Sequence, residues 1–441
     1  MAREKKQSSI RRGIVGILLL LLAALSTQSA QAQTRLIVRN QLGLPGINLT
    51  CVLSGCNVVR GLGDPEGQLF LVTFPPIVNP VLAVLRLNLQ TSILSVELDQ
   101  LANTQDAYGG PAPSYLTDKT PTAYYGATVW RGYVTQPANA LVRTAQAQSS
   151  FNVSGANVIV AVIDTGVDPN HPVLRNSLLN GYDFTRNANG GWENKDVSAS
   201  PDQSHAESSE VNQRTVAVLD QRTVAVLDGN SQYAAFGHGT MTAGLVHLVA
   251  PQAKIMPLKA FYANGAGYNS DIIRAVYFGV KNGAQVLSMS FDYPSYSGEL
   301  ARAIRYANGR GVLSVASAGN DGRRTIVYPS GLPGVINVAS TSNSDIQSTF
   351  TNYGAPPVSL AAPGEGIMTT YPWGTYAAGW GTSFSTPMVA GTAALMLGTN
   401  GRCNALNVAP GLKQAAFIAD PDLAFKRLDV YRAVQSCRLL N

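Results

Sequence analysis

The pattern of apolar and polar positions changes character several times along the chain. A basic start leads into the apolar run "IVGILLLLLAAL", Ile14 to Leu25, and then into small and polar residues ending in Ala30-Gln31-Ala32. That is the three-part plan of a secretory signal peptide, so residues 1–32 are expected to be cut off after Ala32. The run is short for a full bilayer span, and the small-residue cleavage site follows at once. From Leu36 to Asp99 the pattern predicts a small unit. "RLIVR" reads as a strand, a helix is expected through Cys51, "NVVR" and "GQLFLVTF" read as strands, the segment after Pro80 as a helix, and "ILSVELD" as a closing strand. The order βαββαβ is that of a ferredoxin-like α+β domain, assigned to residues 33–100.

Residues 101–150 turn to Gly, Pro, Ser, Thr and Tyr, as in "YGGPAPSYLTDKTPTAYYG", without a clear apolar period. They read as a linker. Beyond Ser150, "NVIVAVIDTG", "AKIMPLKAF", "AQVLSMSF", "GVLSVASAGN" and "PGVINVAS" are short, nearly continuous apolar runs, the mark of strands buried on both faces. Helical stretches separate them: "SDIIRAVYFGVKNGA", with Ser270 as the expected cap, and "GELARAIRYANGRG". Alternation of this kind predicts an α/β domain over residues 151–441, with a mainly parallel sheet covered by helices on both sides. Sites in such sheets gather at the carboxyl ends of the strands.

Composition narrows the classes further. A chain of 441 residues that is 45% hydrophobic and 13% charged can bury a large core and hold more than one folding unit. The formal charge of +6 does not indicate nucleic acid, because Arg3, Lys5, Lys6, Arg11 and Arg12 face only Glu4 at the N-terminus and account for most of it. In an exported chain four cysteines indicate disulfides, and their positions favour local pairing, Cys51 with Cys56 and Cys403 with Cys437. The octapeptide "QRTVAVLD" occurs twice in tandem, Gln213–Asp220 and Gln221–Asp228. Two short copies are too few for a solenoid; they read as a duplication in a surface insertion or as an added rim element near a cleft.

Three segments carry candidate chemistry. "AVIDTGVD" delivers Asp164 at a strand end, "FGHGTMTAG" delivers His238, and "GTSFSTPMVAG" delivers Ser383 where a helix begins. A serine hydroxyl attacks well only when a base within hydrogen-bond reach takes its proton; a neutral imidazole does so near neutral pH, and a carboxylate on the far ring nitrogen fixes its tautomer. With these surroundings and in this order, the segments resemble the three active-site motifs of the subtilases, the subtilisin-like serine peptidases. The likeness spans roughly residues 158–398 and implies a subtilisin-like three-layer αβα domain holding an Asp164-His238-Ser383 triad. It places Asn320, at the end of "SVASAGN", as an oxyanion donor beside the Ser383 N–H. It places Ser290 and Phe291 of "SMSF", with Ser317, Ala318 and Gly319, along an extended peptide substrate. Departures from the family pattern are Ser288, Asp292, Phe384 and Ser385, which bear on specificity and leave the proton-transfer groups intact.

The resemblance also implies that residues 33–100 are a propeptide, an intramolecular folding aid and inhibitor, rather than a permanent accessory domain. The implied product is a secreted, monomeric serine endopeptidase, extracellular or periplasmic, acting on polypeptides without nucleic acid, a membrane span or an organic cofactor. Calcium supports many subtilases, but no ligands for it are assigned here, and no zinc is expected. His238 and His247, nine apart, fall on opposite sides of a helix; His171 reads as a turn residue and His205 as part of a polar loop. Two rival readings are a catalytically silent subtilase fold used for binding and a serine esterase. The intact set of four residues opposes the first, and the G-T-S-F-S context, which is not a G-x-S-x-G elbow, opposes the second.

Overall fold

The computed structural model of the protein describes residues 33–104, 110–196, 216–218, 231–354, 358–399, 401–424 and 426–439. The signal-peptide segment, His205 and all of the duplicated octapeptide except 216–218 lie outside these residues. The chain divides into two compact units, Met1–Gly61 with Glu66–Leu98, and Leu62–Pro65 with Asp99–Asn441.

The first unit runs β1 (Thr34–Asn40), α1 (Gly43–Ser54), β2 (Asn57–Gly61), β3 (Leu69–Phe74), α2 (Pro80–Asn88) and β4 (Ile93–Leu98). Its sheet has the order β2-β3-β1-β4 with every pair antiparallel, the ferredoxin-like arrangement expected. The local chemistry is legible. Gly55 ends α1 in a left-handed conformation, and Asn79 caps α2, accepting from the Val81 N–H at 2.8 Å with Pro80 at the first helical position. Leu36, Val38, Ile47, Phe70, Val72 and Leu87 fill the core, and the Cys51–Cys56 disulfide ties the end of α1 to the start of β2.

The second unit begins with β5 (Leu101–Asn103), the hairpin β6 (Pro121–Tyr124) and β7 (Ala127–Trp130), and three short helices, α3 (Arg131–Thr135), α4 (Pro137–Leu141) and α5 (Thr144–Phe151). Most of the stretch read as a linker is therefore built into a folded unit. Leu116, Val129, Tyr133, Ala138, Val142 and Ala147 are buried in its main core. Their spacing is irregular because short elements, each burying one or two side chains, leave no period for a sequence window to detect.

Next come β8 (Ile159–Asp164), β9 (Tyr182–Asp183), β10 (Ala188–Asn189), β11 (Val216–Val218), α6 (His238–Val249), β12 (Lys254–Lys259), β13 (Ala266–Tyr268), α7 (Asn269–Lys281), β14 (Val286–Met289), α8 (Gly298–Gly309), β15 (Leu313–Ser317) and β16 (Val335–Thr341). The remainder is β17 (Leu360–Pro363), β18 (Ile367–Tyr371), β19 (Thr375–Gly379), α9 (Thr382–Leu397), α10 (Ala405–Leu412), β20 (Ala416–Phe417), β21 (Lys426–Arg427) and α11 (Val430–Arg438). Ten strands form one sheet in the order β10-β9-β12-β8-β14-β15-β16-β17-β21-β20. Pairing is parallel from β9 to β21, with antiparallel edges at each end. Strands β14 and β15 are buried along their whole length, as a sheet covered on both faces requires. This is the α/β architecture with a mainly parallel sheet that the apolar runs predict.

Helices α6 and α9 differ from the rest. Every residue of α6 and nearly every residue of α9 is buried, so neither has a polar face, and small residues let them approach closely. Helix α7 begins two residues earlier than a cap at Ser270 would place it, and Ser270 lies inside its first turn. The Ser270 N–H and hydroxyl both donate to the Asp99 carboxylate at 2.8 Å, a cap supplied from a distant part of the chain. Cys403 and Cys437 are bonded, closing a loop with a separation of 34 residues. By the loop-entropy model such a crosslink is worth roughly 3–4 kcal/mol.

Candidate active site

Asp164 is the last residue of β8, and the chain turns away immediately after it. Its Oδ1 lies 2.6 Å from His238 Nδ1 and accepts the Thr165 N–H at 2.7 Å, while Oδ2 accepts the Thr242 hydroxyl at 3.1 Å. Asp164 is 1% exposed and His238 6%, so the pair is shielded from water on nearly every side. A carboxylate on Nδ1 holds the proton there and leaves Nε2 as the basic nitrogen. Thr242, one turn beyond His238 on α6, was not singled out by sequence reasoning; its i+4 position on the histidine face was the available signal.

The bare backbone around His238 has a steric cause. Gly237 adopts φ +92°, and a Cβ there would stand 2.2 Å from the Tyr371 ring. A Cβ on Gly239 would stand 2.0 Å from the carbonyl oxygen of Gly166. The start of helix α6 can thus press against Tyr371 of β18 and against the loop that follows Asp164 only where these side chains are absent.

Ser383 is the second residue of α9 and is 3% exposed; its hydroxyl donates to the Ser290 carbonyl at 3.4 Å. The neighbouring Phe384 ring lies edge-on to the His238 imidazole, centroids 5.9 Å apart, which brings the serine segment against the histidine. Pro387 sits inside this helix. Lacking an N–H, it cannot donate to the Ser383 carbonyl one turn back, and the Ser290 hydroxyl donates there instead at 2.9 Å.

Asn320 follows β15. Its Oδ1 accepts both the backbone N–H and the hydroxyl of Thr382 at 2.9 Å, so two donors fix the orientation of the amide and leave Nδ2 as its donating end. The Ser383 N–H, in the first turn of α9, is among those a helix cannot pair internally. Ser290 and Phe291 follow the end of β14, and Ala318 and Gly319 follow Ser317 at the end of β15. The Ser317 hydroxyl donates to the Phe291 carbonyl at 3.4 Å, joining the two segments, while the Phe291 ring packs on Phe261 in the interior. The Phe291 ring is therefore turned into the core. Between β13 and Asp292 lies the chain's own β5: Ala102 pairs with Gly267, Asn103 bridges Asp292, and the Thr104 N–H donates to the Gly265 carbonyl at 2.9 Å.

The other described histidines stand apart from this chemistry. His171 is buried in a turn with Nε2 3.0 Å from the Thr375 carbonyl, and burial lowers its pKa. His247, at the far end of α6, has its pKa lowered to about 4 by burial and, secondarily, by His171; its Nδ1 has no hydrogen-bond partner. Among the described residues no group of three or more His, Cys, Asp or Glu is arranged to hold a metal ion, and no helix is long and apolar enough to cross a membrane. One functional candidate was invisible in the sequence. Glu193, one of two acidic residues in a short polar turn, is fully buried directly behind Asp164 and His238.

Comparison with known proteins identifies the family. A model of the subtilase family matches residues 155–427. Thermitase from Thermoactinomyces vulgaris is 31% identical over 304 residues, covering 66% of this chain and 93% of thermitase. A thermophilic serine proteinase from Bacillus sp. strain AK1 is 31% identical over 325 residues, 73% of this chain and 71% of its own length. Among solved structures, fervidolysin from Fervidobacterium pennivorans, described as a keratinolytic enzyme related to subtilisin, superposes with a TM-score of 0.69 at 22% identity over 92% of this chain and 62% of its own. That structural likeness speaks for the fold; the sequence matches go further. This chain belongs to the subtilase family and is a serine-type endopeptidase.

Proposed function

We propose that the protein is exported as a proenzyme and hydrolyses peptide bonds through Asp164, His238, Ser383 and Asn320. Ser383 Oγ attacks the peptide carbonyl carbon as His238 Nε2 takes its proton. Asp164 holds the imidazole and stabilises its positive charge, and the imidazolium then gives the proton to the departing amine. Asn320 Nδ2 and the Ser383 N–H donate to the oxyanion. An acyl-enzyme on Ser383 is released by water activated on the same His238. The observation that carries this reading is the buried 2.6 Å contact between His238 Nδ1 and Asp164, reinforced by the Thr165 N–H and the Thr242 hydroxyl.

Substrate is read as an extended strand along Ser290–Phe291 and Ser317–Gly319. Support comes from β5, which already runs antiparallel to β13 and bridges Asp292, as a bound peptide would. The same pairing supports assigning residues 33–100 as a propeptide, with residues 101–104 of the segment after it lying along β13 until the chain is cut beyond them. No organic cofactor enters these steps. Secretion is supported by the N-terminal pattern of residues 1–32 and by two disulfides among the described residues; the protein acts as a monomer.

The test is to express the full chain beside Ser383→Ala and to read N-termini and fragments of an unfolded protein substrate by mass spectrometry. Wild type should acquire a new N-terminus shortly after Thr104 and cut both peptide and ester substrates, and Ser383→Ala should do neither. Equal processing and cleavage by both proteins would overturn the proposal, and ester cleavage alone would point to an esterase.

A further inference from the structure

Every hydrogen bond that Glu193 makes is donated to it. Its Oε1 accepts the Thr165 hydroxyl at 2.5 Å and the Gly237 N–H at 2.7 Å; its Oε2 accepts the Thr240 hydroxyl at 2.7 Å and the Thr240 N–H at 3.3 Å. Both hydroxyls are themselves committed. Thr165 Oγ1 accepts the Gly239 N–H and Thr240 Oγ1 accepts the Asp168 N–H, each at 2.9 Å, so their hydrogens turn toward the carboxylate. Four hydrogens converge on two oxygens, and a proton on either oxygen would force a threonine hydroxyl to turn its hydrogen away from the carboxyl group.

These partners flank the catalytic pair. Gly237 and Thr240 bracket His238 at the start of α6, and Thr165 follows Asp164 and donates its N–H to it. The clamp has a second jaw. Lys259, fully buried, donates from Nζ to the carbonyls of Thr165 and Phe261 and to Asp196 Oδ2, each at 2.7 Å, and Asp196 belongs to the same short turn as Glu193. Arg186 bonds Asp196 and Asp183 behind it. Thr165 is thus held by its hydroxyl from Glu193 and by its carbonyl from Lys259.

We propose that the Glu193 carboxylate is a positioning residue for this peptidase, locking the first turn of the histidine helix to Thr165 so that His238 stays aligned on Asp164 only while Glu193 is ionised. The inference rests on the proposed triad. Burial pushes the Glu193 carboxyl up to about 7; the Thr165 and Thr240 hydroxyls and the Lys259 charge oppose that rise, and the Asp164 charge adds to it. A carboxyl group is ionised above its pKa, so activity falls as pH drops through this region and Glu193 takes up a proton in addition to the one that silences the general base. Two protons then govern the acid limb, and log kcat/KM climbs with a slope approaching 2 instead of 1.

The experiment measures kcat and KM from pH 5 to 9 for the mature enzyme and for Glu193→Gln, Glu193→Asp and Thr165→Val. Rates are counted per active site titrated with a serine-reactive sulfonyl fluoride, so that misfolded protein does not enter. Glu193→Gln, whose amide turns donors toward donors, should lose about tenfold to a hundredfold in kcat with little change in KM, and its acid limb should fall to a slope of 1. Thr165→Val removes one donor and should move the acid limb of a folded enzyme to higher pH; Glu193→Asp, too short to span the site, should recover less than half of the lost rate. The inference is overturned if the wild-type limb has a slope of 1, or if Glu193→Gln keeps kcat within twofold with an unmoved limb. A wild type that neither turns over nor titrates would instead overturn the proposed peptidase function.

Discussion

Substituting Ser290 by Ala isolates one consequence of the proline inside helix α9, which carries Ser383. Pro387 cannot donate to the Ser383 carbonyl, and the 2.9 Å bond from the Ser290 hydroxyl takes over that role. Ser290 and Ser383 are 1% and 3% exposed, so water has little access to replace it. Ser290→Ala therefore leaves a buried carbonyl unpaired, at a cost of about 1–3 kcal/mol. Pro387→Ala supplies the missing N–H, and in that background Ser290→Ala should cost less than about 1 kcal/mol, since the helix now satisfies the carbonyl. Urea unfolding of the four proteins, each carrying Ser383→Ala to stop autolysis while keeping the residue 383 carbonyl, yields the coupling from shifts in midpoint at constant slope. A coupling below about 0.5 kcal/mol, with Ser290→Ala equally costly in both backgrounds, would refute the idea that the hydroxyl stands in for the missing amide.

Gly237→Ala should destabilise by at least about 2 kcal/mol and reduce kcat, because the left-handed backbone and the approach of Tyr371 both exclude a methyl group; a variant with unchanged melting temperature and turnover would remove the steric account. Stability should also depend on pH through His247, whose pKa is lowered from 6.5 to about 4 in the folded state. A depressed folded pKa means that the unfolded chain takes up the proton first, so stability is full above about 6.5 and falls by about 3 kcal/mol as pH drops toward 4. Urea titrations of Ser383→Ala with and without His247→Leu should show that the slope flattens in the variant, and identical slopes would rule the residue out. Asp292 places a carboxylate oxygen 2.9 Å from where a Cβ on Gly319 would sit, at the edge of the segments proposed to bind substrate. Asp292→Gly should accordingly lower kcat/KM several-fold for peptides with lysine before the scissile bond relative to phenylalanine, and an unchanged ratio in a peptide-library digest would show that this carboxylate does not select.

What the sequence determined by itself lies where chemistry and local pattern coincide. The apolar runs ending at Asp164, Ser317 and Lys259 mark buried parallel strands because a strand covered on both faces has no polar alternation. The motifs around Asp164, His238 and Ser383 are legible because reactive groups sit where a strand ends or a helix starts. Tertiary structure decided the rest. Helix α7 receives its cap from Asp99, residues 110–150 bury side chains one element at a time without a period, and Ser290 serves a carbonyl that Pro387 left unpaired. Glu193 is the extreme case: nothing in "GGWENKD" separates it from a solvated loop residue, and only folding brings four hydrogens onto its two oxygens. The reason is physical, since sequence patterns report periodic burial and local backbone geometry, whereas the environment of a buried charge is assembled from segments remote from one another along the chain.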